Sequence, residues 1–157
     1  MGIGGGYHFS KMKNNIGYFL ALTGHTLKGK ELVQCGIADF YVKTENLANL
    51  EADILKSSEK DVTIEKLKEI IKAHAEVVED QYAHEEMIKK VFGKPSLEDI
   101  WKELEKAAKE DEFARKMFEV VRQNSPLSMK IIYEEIKRGA GISFEESLKV
   151  DMRLANR

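Results

Sequence analysis

Four glycines near the start of the chain are the residues whose spacing first suggests a ligand site. Gly2, Gly4, Gly5 and Gly6 would let backbone amides approach a phosphate, as glycine-rich binding loops do. A dinucleotide-binding G-x-G-x-x-G frame that starts at Gly2 requires glycine where Tyr7 stands. No predicted strand precedes the segment, and no Gly-Lys-Ser or Gly-Lys-Thr follows it. We therefore predict a loop whose backbone lies close to a neighbouring group, not a nucleotide-binding loop.

The segment His84-Glu85-Glu86-Met87-Ile88 begins like the zinc-protease pattern H-E-x-x-H. That pattern needs a second imidazole one helical turn after the first, and Ile88 occupies its position. Gln81 likewise stands where the Glu-x-x-His pattern of di-iron helical bundles needs a glutamate. No metal site is therefore predicted. His74 lies on an apolar stripe, so we interpret it as a hydrogen-bonded core or interface residue.

The composition of the chain excludes several classes of protein. Its 157 residues are 43% hydrophobic and 33% charged, which is typical of a folded domain and not of a disordered chain. The formal net charge is −2 with both signs interleaved, so the basic field of a nucleic-acid-binding protein is absent. No apolar run approaches the roughly 20 residues that span a bilayer. The single cysteine, Cys35, excludes an internal disulfide and is interpreted as a small buried apolar residue.

Apolar residues at helical spacing predict a mainly α chain. Asn14, Thr44, Ser96 and Ser143 are predicted helix caps, and Ser143 is followed by the Glu146 of a capping box. The predicted helices carry the apolar positions of residues 16–22, 30–35, 47–54, 67–78, 97–108, 113–121, 127–136 and 144–155.

One strand is predicted, at residues 37–42, because that segment combines aromatic and β-branched side chains. In the last helix Phe144, Leu148, Met152 and Ala155 form one apolar stripe. We expect this stripe to pack against another element.

Both ends of the chain carry short segments whose sequences are similar to those of a known family. They are Gly4-Gly5-Gly6-Tyr7, Gly17-Tyr18-Phe19-Leu20-Ala21-Leu22-Thr23-Gly24, Leu27-Lys28-Gly29-Lys30, Cys35-Gly36-Ile37-Ala38-Asp39, the Ser-Pro-x-Ser-x-Lys pattern of residues 124–130, and residues 144–154. Together they resemble the 3-hydroxyisobutyryl-CoA hydrolases, a branch of the crotonase (enoyl-CoA hydratase/isomerase) superfamily. The resemblance is densest in the first 55 and the last 35 residues.

The resemblance implies a fold as well as a family. The chain would be the C-terminal helical part of a crotonase-like fold, without its N-terminal ββα spiral core. Residues 1–55 would be the end of the core, with a glycine-rich loop, two short helices, one strand and one helix. Residues 56–157 would be the helical C-terminal region.

The resemblance also implies a chemistry whose main residues are missing here. Members of the family hydrolyse a CoA thioester with an oxyanion hole of two backbone amides, a glutamate, and an aspartate within Pro-Asp-Val-Gly-Gly-Gly. With the glycines aligned, Met1 and Gly2 take the positions of the proline and the aspartate. The glutamate and both amides belong to the core expected before Met1. No catalytic residue, metal or cofactor is thus assigned, and acyl-CoA is the implied substrate. The residues left to line a substrate pocket are Gly4, Gly5, Gly6 and Tyr7.

Three hypotheses remain open at this point. The chain is part of a hydrolase that is active only when another chain supplies the core, or it is a degenerate, non-catalytic subunit of a larger mitochondrial assembly. The third hypothesis is an unrelated helical interaction domain. The first two expect another protein chain to cover exposed apolar faces. The resemblance further implies a mitochondrial location and a connection to valine catabolism.

Overall fold

The computed structural model describes residues 4–57, 62–79 and 81–156. These residues form ten α-helices and two short 3₁₀ turns, which confirms the prediction of a mainly α chain. None of the helices described is long and apolar enough to cross a membrane. The helices are α1 (Gly5–Ser10), α2 (Ile16–Thr23), α3 (Lys30–Gln34), α4 (Leu47–Ser57), α5 (Ile64–His74), α6 (Glu85–Phe92), α7 (Leu97–Ala107), α8 (Glu112–Gln123), α9 (Pro126–Gly139) and α10 (Phe144–Ala155), and the 3₁₀ turns are Lys13–Asn15 and Thr44–Asn46.

The chain divides into two compact units. The main unit contains the described residues 4–26 and 83–156, and the second unit contains those between 27 and 82. The predicted boundary near residue 55 concerns a different property, namely which residues complete the core of a longer fold. That boundary stays a prediction.

Helix α2 forms the centre of the main unit, where it contacts α1, α6, α8 and α9. Phe19 is fully buried, and its ring meets the ring of Phe92 edge to face at a centroid distance of 5.4 Å. Burying each such side chain stabilises the fold by about 1.5–3 kcal/mol. Gly17 allows α1 to approach α2, because a Cβ atom at this position would lie 1.9 Å from the carbonyl oxygen of Phe9.

The helix caps predicted at Ser96 and Ser143 are confirmed. The side chain of Ser96 accepts a hydrogen bond from the amide of Asp99, and Ser143 forms a complete capping box with Glu146. The cap predicted at Asn14 is wrong, because this residue has a left-handed backbone inside a 3₁₀ turn and donates to the Glu85 carboxylate at 2.6 Å. The cap predicted at Thr44 is also wrong, since a 3₁₀ turn precedes α4.

The strand predicted at residues 37–42 is wrong, because the described part of the chain contains no partner strand for it. The amides of Ile37 and Ala38 both donate to the carbonyl of Leu32, at 2.8 and 3.1 Å. The Tyr41 carbonyl accepts from the amide of Glu76 at 2.9 Å. A strand requires a ladder of such bonds with a neighbour, and isolated bonds leave the segment irregular.

Helix α5 ends earlier than predicted, at His74. Ala75 adopts an extended backbone, and Val77, expected on the apolar stripe, is 96% exposed. Beyond the helix, the amide of Glu76 donates to the Tyr41 carbonyl, and its carboxylate pairs with the ammonium groups of Lys30 and Lys43. These contacts lie within the second unit, and the backbone that makes them is no longer helical.

Helix α10 turns a polar face inward, contrary to prediction. Ser147 and Asp151 are buried, whereas Phe144 and Met152 of the predicted apolar stripe are 42% and 62% exposed. The side of α10 that faces the main unit is therefore the side that carries Asp151, and not the apolar stripe.

Candidate functional site at the glycine-rich segment

The glycine-rich segment is a loop only at its start in the residues described. Gly4 is the N-cap of α1 and has a positive φ of 80°, a conformation that favours glycine. From Gly5 onward the chain is helical, so the loop predicted at these residues is wrong beyond Gly4. Met1 and Gly2, which align with the proline and the aspartate of the implied pattern, lie outside the described residues.

The neighbouring group expected at these glycines is the Asp151 side chain. The Gly4 amide donates a hydrogen bond to the carboxylate of Asp151 at 2.5 Å, and both groups are buried. Asp151 is 8% exposed and comes from α10, 147 residues further along the chain. A hydrogen bond from an amide to a buried carboxylate is charge-assisted and contributes about 1.5–3 kcal/mol. The bond therefore ties the beginning of α1 to the last helix.

A second contact brings α1 close to α9. A Cβ atom at Gly6 would lie 3.2 Å from both the Cβ atom and the carbonyl oxygen of Glu135. A Cβ atom at Gly139 would lie 2.5 Å from the carbonyl oxygen of Gly6, which is too close for any side chain. The absence of a side chain at Gly6 and Gly139 thus allows α1 and α9 to pack closely.

Glu135 and Asp151 form a carboxyl pair beside these glycines. Burial is the largest cause that raises the pKa of Glu135, and the negative charge of Asp151 and a hydrogen bond between the two carboxyl groups raise it further. Glu135 therefore retains its proton to a higher pH than an ordinary glutamate. A protonated Glu135 donates a hydrogen bond to the carboxylate that also accepts from Gly4.

Aromatic rings border the glycine-rich segment on its outer side. The rings of Tyr7 and Phe144 meet edge to face at 5.4 Å, and His8 lies 5.7 Å from the same Phe144 ring. The ammonium group of Lys11 lies 4.9 Å from the centroid of the Tyr7 ring. Tyr7 is partly exposed, so its side chain is available to a ligand, and Gly5 is also only partly buried.

The predicted site residues therefore differ in what they contact. Gly4 and Gly6 are occupied by packing against α10 and α9, while Gly5 and Tyr7 remain partly accessible. Whether these four residues line a substrate pocket stays a prediction. Sequence reasoning missed Asp151 and Glu135, because a carboxylate on an amphipathic helix gives no local sign that it faces inward.

The other reactive side chains have structural partners. The imidazole of His84 stacks on the Phe113 ring at a centroid distance of 3.7 Å. His74 Nε2 lies 3.0 Å from the carboxylate of Asp53, which bears out the hydrogen bond predicted for it. Cys35 is buried as predicted. Within residues 4–57, 62–79 and 81–156, no group of three or more His, Cys, Asp or Glu side chains could hold a metal ion.

Comparisons with known proteins assign this arrangement to a family. Residues 2–157 match the sequence model of the family described as Enoyl-CoA hydratase/isomerase. The chain is 32% identical over 160 residues to the chicken (Gallus gallus) protein named 3-hydroxyisobutyryl-CoA hydrolase, mitochondrial, and the match covers 98% of this chain and 40% of that protein. The human (Homo sapiens) protein of the same name is 32% identical over 159 residues, with the same two shares.

A solved structure shares the fold. The crystal structure of a carnitinyl-CoA dehydratase from Mycobacterium thermoresistibile matches with a TM-score of 0.75 and 22% identity, over 92% of this chain and 41% of that chain. The sequence therefore spans about two-fifths of the length of these relatives, and it fits their C-terminal portion.

Proposed function

Because the chain belongs to the enoyl-CoA hydratase/isomerase family, we propose that it forms the helical C-terminal part of an acyl-CoA thioester hydrolase of the 3-hydroxyisobutyryl-CoA type. The proposal includes a dependence on the rest of the fold for catalysis. The observation that carries it is the coverage, since 98% of this chain aligns with only 40% of a relative that bears this name. The family match excludes the hypothesis of an unrelated helical domain.

In this proposal the chain contributes one wall of the acyl-CoA site. Tyr7 and Gly5 would touch the substrate, because they are the partly accessible members of the glycine-rich segment. Gly4 would not donate to the thioester, since its amide already donates to Asp151. Asp151 and Glu135 would act as positioning residues that fix the start of α1.

The reacting groups would come from the remainder of the fold. Gly2 stands where the implied pattern has its aspartate, and glycine has no side chain to move a proton. The glutamate and the oxyanion amides would belong to that remainder, and a further protein chain would cover exposed apolar side chains such as Leu127 and Met152. A mitochondrial location is part of the same proposal and rests on the names of the relatives.

Complementation tests this proposal. The human relative without the region that aligns with this chain would be expressed with this chain, and CoA thiol release from 3-hydroxyisobutyryl-CoA would be followed. We expect a complex that hydrolyses the thioester, and loss of the activity when Gly139→Leu blocks the approach of α9 to α1. Gly141→Leu is the matched control, because a Cβ at this glycine meets only the Arg138 carbonyl oxygen, at 3.9 Å.

Two outcomes would count against parts of this proposal. A stable complex without hydrolysis would favour the alternative, a non-catalytic subunit of a larger assembly. The absence of any complex would contradict the proposed partner.

A further inference from the structure

A groove lies between α7 and the beginning of α9 in the main unit. Its volume is about 510 Å³, within the range of about 300–1,000 Å³ that is common for small-molecule sites. Leu97 and Trp101 line it from α7, and Pro126 and Met129 line it from α9. Leu97 and Met129 are 9% and 3% exposed, so the apolar floor belongs to the folded core.

Trp101 gives one side of the groove an aromatic wall. Its ring also meets the ring of Phe118 edge to face at 5.4 Å, which fixes the indole against α8. A wall held in this way needs little reordering when a ligand binds, and such preorganisation favours affinity. Trp101 is also the single tryptophan of the chain, so its fluorescence reports on this groove alone.

Charged side chains lie at the rim of the apolar floor. The Lys130 ammonium group donates to the Glu98 carboxylate at 2.9 and 3.2 Å, and this hydrogen bond is the largest cause that lowers the pKa of Glu98. Lys102 also lines the groove, and it has no ion pair within the described part of the chain. Lys130 and Glu98 neutralise each other, so Lys102 leaves the rim with one positive charge.

The beginning of α9 adds to this positive potential. The helix is 14 residues long, begins at Pro126 and is capped by Ser125. The N-terminus of a helix carries a partial positive charge from its aligned peptide dipoles. An apolar floor with a positive rim complements one class of ligand, which has an apolar body and a single negative charge.

We propose that this groove binds an amphiphilic organic anion of the medium-chain fatty carboxylate class. The hydrocarbon chain lies against Trp101 and Met129, and the carboxylate lies beside Lys102. Apolar burial supplies most of the affinity. Lys102 selects the sign of the head group, because an exposed ion pair changes the affinity by about two- to fivefold.

Titration of the chain with decanoate below its micelle concentration tests the proposal. We expect a saturable change in Trp101 emission and a stoichiometry of one by calorimetry. Decyltrimethylammonium has the same chain length and the opposite charge, and it should bind at least about fourfold more weakly, because Lys102 repels its head group instead of attracting it. The absence of a saturable change, or equal binding of the two amphiphiles, would overturn the assignment.

Two substitutions separate the groove from general surface adsorption. Lys102→Gln should weaken decanoate binding by about two- to fivefold, the effect of one exposed ion pair. Lys109→Gln removes the same charge outside the lining and should leave binding unchanged. Trp101→Ala should weaken binding at least tenfold by calorimetry, with circular dichroism to show that the helices remain. Identical affinities for Lys102→Gln and Lys109→Gln would contradict the proposed role of the rim.

Discussion

Removing the Asp151 carboxylate should weaken the fold measurably, because it leaves the buried Gly4 amide without an acceptor. The bond is 2.5 Å long and both groups are buried. An unsatisfied buried donor costs about 1–3 kcal/mol, so we expect Asp151→Ala to lower the free energy of unfolding by that amount. Asp151→Asn retains an acceptor oxygen without the charge and should lose less, about 0.5–1.5 kcal/mol.

Urea unfolding followed by circular dichroism at pH 7 measures this effect. With a slope of about 1–2 kcal/mol per molar urea, a loss of about 1–3 kcal/mol in Asp151→Ala should move the midpoint down by roughly 0.5–3 M. Hydrogen exchange at the Gly4 amide provides a local readout. The exchange rate should increase by a larger factor in Asp151→Ala than in Asp151→Asn. If both variants unfold at the wild-type midpoint and protect this amide equally, the bond does not anchor α1.

Three further predictions concern packing and protonation. Gly139→Ala should destabilise the chain despite the higher helix propensity of alanine, because its Cβ would lie 2.5 Å from a backbone oxygen of α1; Gly141→Ala is the control in the same thermal melts, and equal melting temperatures would contradict the close approach. The raised pKa of Glu135 adds stability that is present below the ordinary glutamate pKa and lost as the pH rises through the raised value. Glu135→Gln cannot ionise and should flatten this decline in unfolding free energy as the pH rises above the ordinary glutamate pKa, whereas an unchanged pH profile would refute the pair. Phe19→Ala should cost about 3–5 kcal/mol and the 42% exposed Phe144→Ala much less, as compared by urea unfolding.

Sequence predicted the parts of this fold that local chemistry determines. The caps at Ser96 and Ser143 follow from a side chain and an amide three residues apart, so their geometry is already present in the sequence. The end of α2 at Gly24 also has a local cause, because the positive φ of 66° at this residue favours glycine. Each of these features depends on a few consecutive residues.

The errors arise where distant residues decide the structure. The strand at residues 37–42 has suitable side chains, but pairing depends on a neighbour that the described residues do not contain. Helix α5 stops at His74, and the contacts of Glu76 just beyond it are with Lys30, Tyr41 and Lys43, which are more than 30 residues earlier. No local propensity contains that information.

The candidate site shows the same division between local and distant causes. The glycines of residues 4–6 predicted a close backbone approach, and the structure contains one on each side of α1. The groups that approach them, Asp151 and Glu135, come from α10 and α9. Asp151 faces inward on a helix with exposed Phe144 and Met152, and its carboxylate contacts the Gly4 amide and the Glu135 carboxyl group.

In the function proposed for it, this chain forms part of a thioester hydrolase and depends on the rest of that fold for catalysis. The most direct test measures CoA thiol release from 3-hydroxyisobutyryl-CoA by the purified chain alone, over a range of protein concentrations. We expect release at the uncatalysed rate, independent of the concentration of the chain. Release that increases in proportion to the chain, and that disappears when the chain is unfolded, would contradict it.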